Sequence, residues 1–357
     1  MPYLDLHFAY KQVSENLFPH GVSNKERMWD LQFIYPNRRI YDKKLQLVQG
    51  GVNEGQTLIP QSLNVSVAPF VNLGVFEEYE PSRKFLKLHF VDMKKFTKIT
   101  VIQESTLIPN TSPSLYGSCD FSTFPNGDVV VMNYPTDTMT LYDKKGKYKK
   151  SITGVVNVTN QNRGYMEVHQ RKGIIALQYK TGFKFYNKNL EFLFQISTNN
   201  IENGFRTSGF YPNGDLLIGK QNQTYTRLVI DYTSKTLVTT YTTPLTSDQR
   251  DTIYLVRIEK DTTFFQRAYR GIGKSTLLEF DKNMKLISET TPPYDLTKLV
   301  SWDGKYYHTK EENGAGGLYK TFEVATNQLV LQFDMRYTLP SVYGSLRGQS
   351  ETYGSYQ

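Results

Sequence analysis

The sequence predicts an all-β chain built from repeated sheets, and two recurring turn motifs together with their spacing carry that prediction. Residues 141–146 read LYDKKG, an apolar–aromatic pair that ends a strand and runs into a polar turn. Asp and Asn hydrogen-bond their own backbone in such turns, and Lys or Gly keeps the tip solvated. Counted at the residue after the last apolar position, similar stretches recur at 42, 92, 143, 187, 231, 281 and, in degraded form, 325. These steps of 44 to 51 residues are typical of a β-propeller.

A second motif marks another hairpin within each repeat. Residues 124–128 read FPNGD and residues 211–215 read YPNGD, and each is followed by an apolar run. Asn-Gly between apolar runs is the strongest short hairpin signal. Weaker equivalents occupy residues 171–173 and 302–305. Each repeat therefore contains an inner and an outer hairpin, which makes a four-stranded antiparallel blade.

These repeats predict one seven-bladed β-propeller over residues 28–334. Six blades is the alternative, if residues 28–50 belong to a closing blade. Residues 1–27 form an N-terminal arm, in which the alternating pattern of residues 4–10 predicts a strand that closes the ring. Residues 335–357 form a C-terminal tail that is rich in Tyr, Ser and Gly.

Composition excludes several kinds of site. The net charge of +8 is interpreted as a solvated, lysine-rich surface, so nucleic acid is not expected as a partner, although residues 144–150 form a dense basic run. The single cysteine, Cys119, cannot form an intrachain disulfide or a cysteine metal site. The five histidines are far apart and lack metal-binding spacings. We therefore expect no metal and no cofactor.

The N-terminal sequence and the hydropathy pattern predict where the chain resides. Residues 1–8 lack the basic start and apolar core of a signal peptide. No run approaches the roughly 18 apolar residues of a membrane span. We expect synthesis in the cytoplasm and residence in a virion; the periplasm or cell surface is the less favoured location.

Motifs that would indicate catalysis are incomplete or absent in the sequence. Residues 271–276 read GIGKST, like the end of a phosphate-binding loop, but position 268 is Ala and a strand pattern follows, so a hairpin turn is expected. No nucleophile elbow of the G-x-S-x-G type is present. Asp120, Asp128 and Asp215 lie near strand starts, where they would line the mouth of the axial channel; we interpret them as turn formers. The sequence predicts no catalytic residue and no enzyme.

The two hairpin motifs resemble those of the NHL/TolB-like class of β-propellers and of propellers abundant in Bacteroidetes. The resemblance covers most of residues 28–334 and implies the propeller fold. The sequence lacks WD40 signatures, kelch glycine doublets and sialidase Asp boxes, so the resemblance assigns no functional residue. The secreted or lipidated start of such Bacteroidetes proteins is also missing.

The leading functional prediction is a non-enzymatic interaction or assembly scaffold, such as a structural subunit of a phage tail or virion, in an oligomeric complex with protein partners. Within the tail, Tyr343, Tyr353 and Tyr356 are predicted to contact a partner, because no sheet of their own remains for them to join. The alternative is a carbohydrate-binding or carbohydrate-active propeller at a bacterial surface. For that function, aromatic side chains at strand ends would stack on sugars: Trp29, Trp302, Tyr306 and Tyr307.

Overall fold

The fold was determined from a computed structural model of the 357-residue chain. It describes residues 31–34, 39–42, 47–49, 65–68, 71–78, 84–92, 97–107, 119–156, 166–179, 182–197, 205–220, 224–243, 251–269, 275–291, 299–302, 306–313, 316–323 and 325–334. The N-terminal arm and the C-terminal tail lie outside these ranges.

The described residues form seven antiparallel sheets, numbered here in chain order. Sheets 1 and 2 contain β1 (Leu31–Ile34), β2 (Arg39–Asp42), β3 (Leu47–Gln49), β4 (Val65–Ala68), β5 (Leu73–Glu78), β6 (Phe85–Asp92) and β7 (Thr97–Ser105). Sheets 3 and 4 contain β8 (Cys119–Thr123), β9 (Val129–Asn133), β10 (Thr138–Tyr142), β11 (Tyr148–Thr153), β12 (Met166–His169), β13 (Ile174–Tyr179), β14 (Gly182–Asn187) and β15 (Phe192–Ser197). Sheets 5 to 7 contain β16 (Phe205–Phe210), β17 (Leu216–Lys220), β18 (Tyr225–Asp231), β19 (Thr236–Thr242), β20 (Asp251–Glu259), β21 (Thr262–Tyr269), β22 (Ser275–Phe280), β23 (Leu286–Thr290), β24 (Leu299–Trp302), β25 (Tyr306–Asn313), β26 (Gly316–Glu323) and β27 (Leu329–Asp334).

Each sheet is a meander in which strands adjacent in sequence are adjacent in space. Sheet 1 has three described strands and the other six have four, which confirms the predicted four-stranded antiparallel unit. The first strands of consecutive sheets, from β4 through β8, β12, β16 and β20 to β24, contact one another. Sheets 2 to 7 are therefore arranged around a common axis, with their first strands innermost. The number of blades in the closed ring, seven or six, stays a prediction.

The hydrophobic core lies between the faces of neighbouring sheets. Between sheets 4 and 5, for example, Phe183 and Phe185 share a buried cluster with Phe210 and Leu216. Similar clusters fill the spaces between sheets 2 and 3, 3 and 4, and 5 and 6. Because sheets 3, 4 and 5 bury both of their faces in this way, their central strands are almost continuously apolar, as in β9.

The outer-hairpin motif forms the predicted turn. The Asp143 carboxylate Oδ1 accepts the backbone N–H groups of Lys145 and Lys147 at 2.8 and 2.9 Å. Asn187 and Asp281 make the same pair of bonds in sheets 4 and 6.

The position predicted for the last copy of the outer-hairpin motif, residue 325, was wrong by two residues. Glu323 occupies the equivalent position: its N–H donates to the Gln328 carbonyl at 3.0 Å, and its carboxylate accepts the Thr326 hydroxyl at 2.8 Å. The last apolar residue before this turn is Phe322, which pairs with Leu329. The sequence count took Val324 as the last apolar position, whereas β26 ends at Glu323.

Every outer hairpin contains a β-bulge at the same place. The register shifts just before the motif's polar residue, for example between Leu141 and Tyr142 and between Val229 and Ile230. One extra residue is thereby inserted near the start of the fourth strand (the third in sheet 1), and it is most often an aliphatic one. The inserted residues are Val48, Ile99, Lys149, Leu193, Val238, Ile287 and Val330.

The inner-hairpin motif is also confirmed. Gly127 and Gly214 adopt φ values of 87° and 99°, which an L-residue rarely tolerates. In the first of these turns, the Asp128 N–H donates to Asn126 Oδ1 at 3.1 Å, and the Asp128 carboxylate accepts the Asn126 side-chain amide at 2.9 Å. Asp128 is therefore a turn former, as predicted. The GIGKST stretch behaves as expected from residue 275 onward, where β22 continues as a strand. Residues 271–274 lie outside the described residues.

Candidate functional site

Polar side chains of the innermost strands meet between sheets 3 and 4. The Tyr134 hydroxyl donates to Asp120 Oδ2 at 2.6 Å, and the Met166 N–H donates to the same oxygen at 3.1 Å. Asp120 belongs to β8 and Met166 opens β12, so this carboxylate joins the first strands of the two sheets. Burial and the neighbouring Asp120 raise the pKa of Tyr134 well above its usual range, so the phenol stays a proton donor.

Glu167 is the buried carboxyl group of this region. It follows Met166 on β12 and is only 7% exposed. Burial, and then the nearby negative charge of Asp120, raise the pKa of Glu167 well above the ordinary value of a glutamate side chain. Two carboxyl groups whose surroundings differ in this way resemble an acid–base pair. Here, however, Asp120 accepts hydrogen bonds from Tyr134 of its own sheet and from Met166 of sheet 4, and Glu167 is buried. Both carboxyl groups are therefore part of the packing between sheets 3 and 4.

The raised pKa of Glu167 predicts how the stability of the fold depends on pH. A carboxyl group that is protonated in the folded state stabilises the fold below its unfolded pKa, and this contribution is lost as pH rises toward the folded pKa. We expect the stability of the wild type, relative to Glu167→Gln, to fall by up to about 1.4 kcal/mol per pH unit above pH 4.5. Thermal melts of both proteins from pH 4.5 to 8.5 measure this difference.

Comparing the stabilities of the wild type and Glu167→Gln at each pH cancels the effect of groups that titrate in both proteins, notably His169. Burial lowers the pKa of His169 to about 4, so its own contribution to stability is lost as pH falls from 6.5 toward 4. That change is common to both proteins and cancels. A stability difference between wild type and Glu167→Gln that stays constant with pH would show that Glu167 is ionised in the fold.

A second set of polar contacts links the inner strands of four sheets. Ser66 of sheet 2 and Thr123 of sheet 3 share a 2.9 Å hydroxyl contact, and Gln170 of sheet 4 donates to the Thr123 hydroxyl at 3.4 Å. The His169 ring Nε2 lies 3.2 Å from the Pro212 carbonyl of sheet 5, and because the ring is neutral this nitrogen donates. The innermost strands thus hold their neighbours with buried hydrogen bonds.

Between sheets 5 and 6 the link is a buried charge cluster. Arg227 of β18 is 3% exposed, and its Nε and Nη2 lie 2.8 and 2.7 Å from Asp215 Oδ2. Nη2 also donates to Asp261 Oδ1 at 2.8 Å, and Nη1 donates to the Lys282 carbonyl at 3.2 Å. The guanidinium carbon lies 4.0 Å from the centre of the Tyr211 ring. Asp215 is therefore both a turn former, as predicted, and the buried counter-ion of Arg227.

The described residues offer no evident metal or redox centre. Within the described ranges, no three His, Cys, Asp or Glu side chains are grouped so that they could hold a metal ion. Cys119 is a free thiol whose pKa is raised well above its usual value by burial and by the carboxylates Glu104, Asp120 and Glu77. Among the same residues, no helix has the length and apolar character to cross a membrane.

Exposed apolar side chains concentrate on the outermost strands. Val238 of β19 is 61% exposed and Ile287 of β23 is 56% exposed. Of the ten large hydrophobic residues exposed in the described part of the chain, eight belong to fourth strands. They are Ile99, Val101, Tyr148, Phe192, Val238, Leu286, Ile287 and Leu329. We call this set the apolar rim.

The residues predicted to bind partners or sugars are not among those whose side chains the structure describes. Tyr343, Tyr353 and Tyr356 lie in the tail, outside the described residues. The four aromatic residues proposed to stack on sugars are likewise outside the described side chains, so carbohydrate binding stays a prediction. Sequence reasoning missed Glu167 and Arg227, since nothing in their local sequence distinguishes them from the surface charges of other strands.

Comparison with solved structures finds the same fold at low sequence identity. A protein from Lactobacillus plantarum aligns with a TM-score of 0.52 and 10% identity, covering 83% of this chain and 90% of that one. Sqt1 from Saccharomyces cerevisiae aligns with a TM-score of 0.50 and 12% identity, covering 82% and 79%. Dihydro-heme d1 dehydrogenase NirN aligns with a TM-score of 0.50 and 12% identity, covering 85% of this chain but 64% of that one.

No family model and no curated protein matches the sequence. At these identities the likeness concerns the fold and does not extend to activity. Taken with the radial stack of four-stranded meanders, it shows that the chain has a β-propeller fold.

Proposed function

We propose that the protein is a non-enzymatic interaction scaffold that binds protein partners through its outer surface. The observation that carries the proposal is the apolar rim, because its exposed hydrophobic side chains repeat from sheet to sheet. Contiguous exposed apolar surface on a folded protein typically marks a contact with another molecule. A ring of repeated sheets presents such side chains in several directions, which suits a subunit that contacts more than one neighbour.

The polar residues of the interior support a scaffold rather than a catalyst. The Asp120, Gln170 and Arg227 side chains each bond a residue of a neighbouring sheet. Groups used in this way stabilise the ring and are not free to act on a substrate. We accordingly assign these inner-strand contacts to stability and the rim to recognition.

The more specific form of the proposal is a structural subunit of a larger particle, such as a phage tail or virion. It rests on the rim and on the aromatic tail, residues 335–357, which the sequence predicts to lie along a neighbouring subunit. In an assembled particle the rim would be covered, since its side chains are costly to leave in water at roughly 25 cal/mol per Å².

Deletion of residues 340–357 tests the role of the tail. We expect the truncated protein to keep the thermal midpoint of the full chain and to form fewer or weaker complexes in size-exclusion chromatography with light scattering. Loss of folding on deletion would mean that the tail completes the ring, and the partner contact assigned to it would be wrong.

Substitution at the rim tests the recognition surface separately. Val238→Lys and Ile287→Lys place charge at exposed positions, so stability should change by less than about 0.5 kcal/mol. Complex formation should nevertheless fall, because a charge would have to be buried at the contact. Lys235→Glu, on the turn before β19, is a charge-changing control outside the apolar rim. Unchanged assembly in both rim variants would contradict the proposed role of the rim.

A further inference from the structure

The tight turns of sheets 3 and 4 bring a dense group of cationic side chains to one end of these sheets. In a four-stranded meander the turns after the first and third strands emerge at the same end. Lys150 Nζ donates to the Asn189 carbonyl at 3.2 Å, which bridges the outer turns of the two sheets. Lys172 of the inner turn of sheet 4 in turn donates to the Asn213 carbonyl of sheet 5.

We call this group the basic turn surface. Its members are Lys144, Lys145, Lys147, Lys149, Lys150, Arg171, Lys172 and Lys188. All eight side chains are exposed. The three acidic residues of the same turns are Asp128, Asp143 and Glu191, which leaves a local surplus of five positive charges, against eight for the whole chain.

The acidic residues are already engaged, whereas several lysines are not. Asp128 accepts Lys149 Nζ at 2.7 Å, and Glu191 accepts the Asn187 side-chain amide at 2.7 Å. In the ranges that the structure describes, no carboxylate pairs with Lys144, Lys145 or Lys188. Packing fixes two of these turns: a Cβ at Gly127 would lie 2.8 Å from the Lys144 Cβ, and one at Gly173 would lie 3.2 Å from the Lys188 Cβ. The lysines therefore project from a fixed backbone.

An exposed aromatic side chain lies among these lysines. Tyr148 opens β11 between Lys147 and Lys149 and is 58% exposed, the largest exposure among the described aromatic side chains. Its hydroxyl lies 3.2 Å from Ser151 Oγ, which holds the ring along the strand. Cationic groups that follow a phosphate backbone, combined with an exposed ring on which a base stacks, are the two components of single-stranded nucleic acid binding.

We propose that the basic turn surface binds single-stranded nucleic acid without sequence preference. Lysine ammonium groups act as point charges on phosphates and do not read base edges, which accounts for the lack of preference. Tyr148 supplies the stacking that an acidic peptide would not need, and it is the reason for choosing nucleic acid over an acidic protein. This function differs from the protein contacts assigned to the apolar rim: the two surfaces share only Tyr148, and six of the eight cationic residues lie on turns.

Binding of a fluorescently labelled 20-nucleotide oligo-dT to the full chain, followed by anisotropy, tests the proposal. Contact with about five phosphates predicts that affinity falls by roughly 100-fold between 50 and 200 mM salt. The triple variant Lys144→Ala, Lys145→Ala and Lys147→Ala should weaken binding by about tenfold or more at 50 mM salt. Tyr148→Ala should weaken it by about tenfold through lost stacking.

The matched control lies in the corresponding turn of sheet 6. Lys282→Ala with Lys285→Ala removes two exposed lysines from a turn of the same design and should leave the affinity unchanged. Poly-glutamate supplies a polyanion without bases, and its binding should not depend on Tyr148. Absence of oligo-dT binding at 50 mM salt would overturn the proposal. An equal loss in the control variant, or oligo-dT binding that is indifferent to Tyr148, would also overturn it.

Discussion

Replacing Arg227 by Met should destabilise the protein by about 4 kcal/mol, because the change leaves the Asp215 carboxylate buried without its counter-ion. The Asp215 side chain is 4% exposed, so water cannot take the place of the guanidinium. The same change removes the bonds to Asp261 and Lys282, which lie across the boundary between sheets 5 and 6. Urea unfolding of the wild type and the variant measures the difference.

The double variant Arg227→Met with Asp215→Asn separates charge from packing. A neutral amide at 215 still accepts the Ile230 N–H that the carboxylate accepts at 3.2 Å, and it carries no charge that needs a partner. We expect it to recover about half of the lost stability, because removing both charges is far less costly than removing one. A loss below about 1 kcal/mol in the single variant would show that water reaches Asp215.

Gly182→Ala should cost about 3 kcal/mol, since the new methyl group has no space. Gly182 opens β14 and pairs with Ser197 of β15. A Cβ at this position would fall inside the van der Waals surface of the Ile196 carbonyl oxygen and 3.0 Å from the Ser197 Cα. Both obstacles are backbone atoms of the partner strand, so relief requires the two strands to separate.

Gly154→Ala is the matched control for this substitution. Gly154 follows β11 with nothing within 4 Å of its hypothetical Cβ, and its φ is 68°. The alanine there meets only the backbone penalty of a positive φ, about 1 kcal/mol. Thermal melts should therefore rank Gly182→Ala well below Gly154→Ala. Equal midpoints would mean that β14 and β15 adjust to the methyl group without cost.

Local turn chemistry made much of the fold predictable from sequence. Asp143 and Asn126 act through bonds to their own turns, so their neighbours in the sequence are enough to reveal them. The repeat period then follows from the spacing of such turns. Prediction failed by two residues at Glu323, where the strand end depends on pairing with β27 rather than on local polarity.

The contacts between inner strands could not be predicted from the local sequence in the same way. Asp120 meets Met166 across 46 positions of sequence, and Arg227 meets Asp261 across 34. Their partners are set by how neighbouring sheets pack, which no local pattern encodes. The basic run 144–150 was visible in the sequence, but its continuation through Arg171 and Lys188 appears only when the turns of two sheets lie side by side.

The bulges of the outer hairpins have a consequence for behaviour at high concentration. A ring of sheets presents as many free strand edges as it has sheets, and each is a template for adding a strand from another molecule. The residue inserted near the start of each outermost strand, such as Ile99, Val238 or Ile287, bends that edge and interrupts its row of N–H and C=O groups. Strand addition from another molecule is thereby obstructed at the described outer edges, which favours contact between copies through side chains over fibrillar growth.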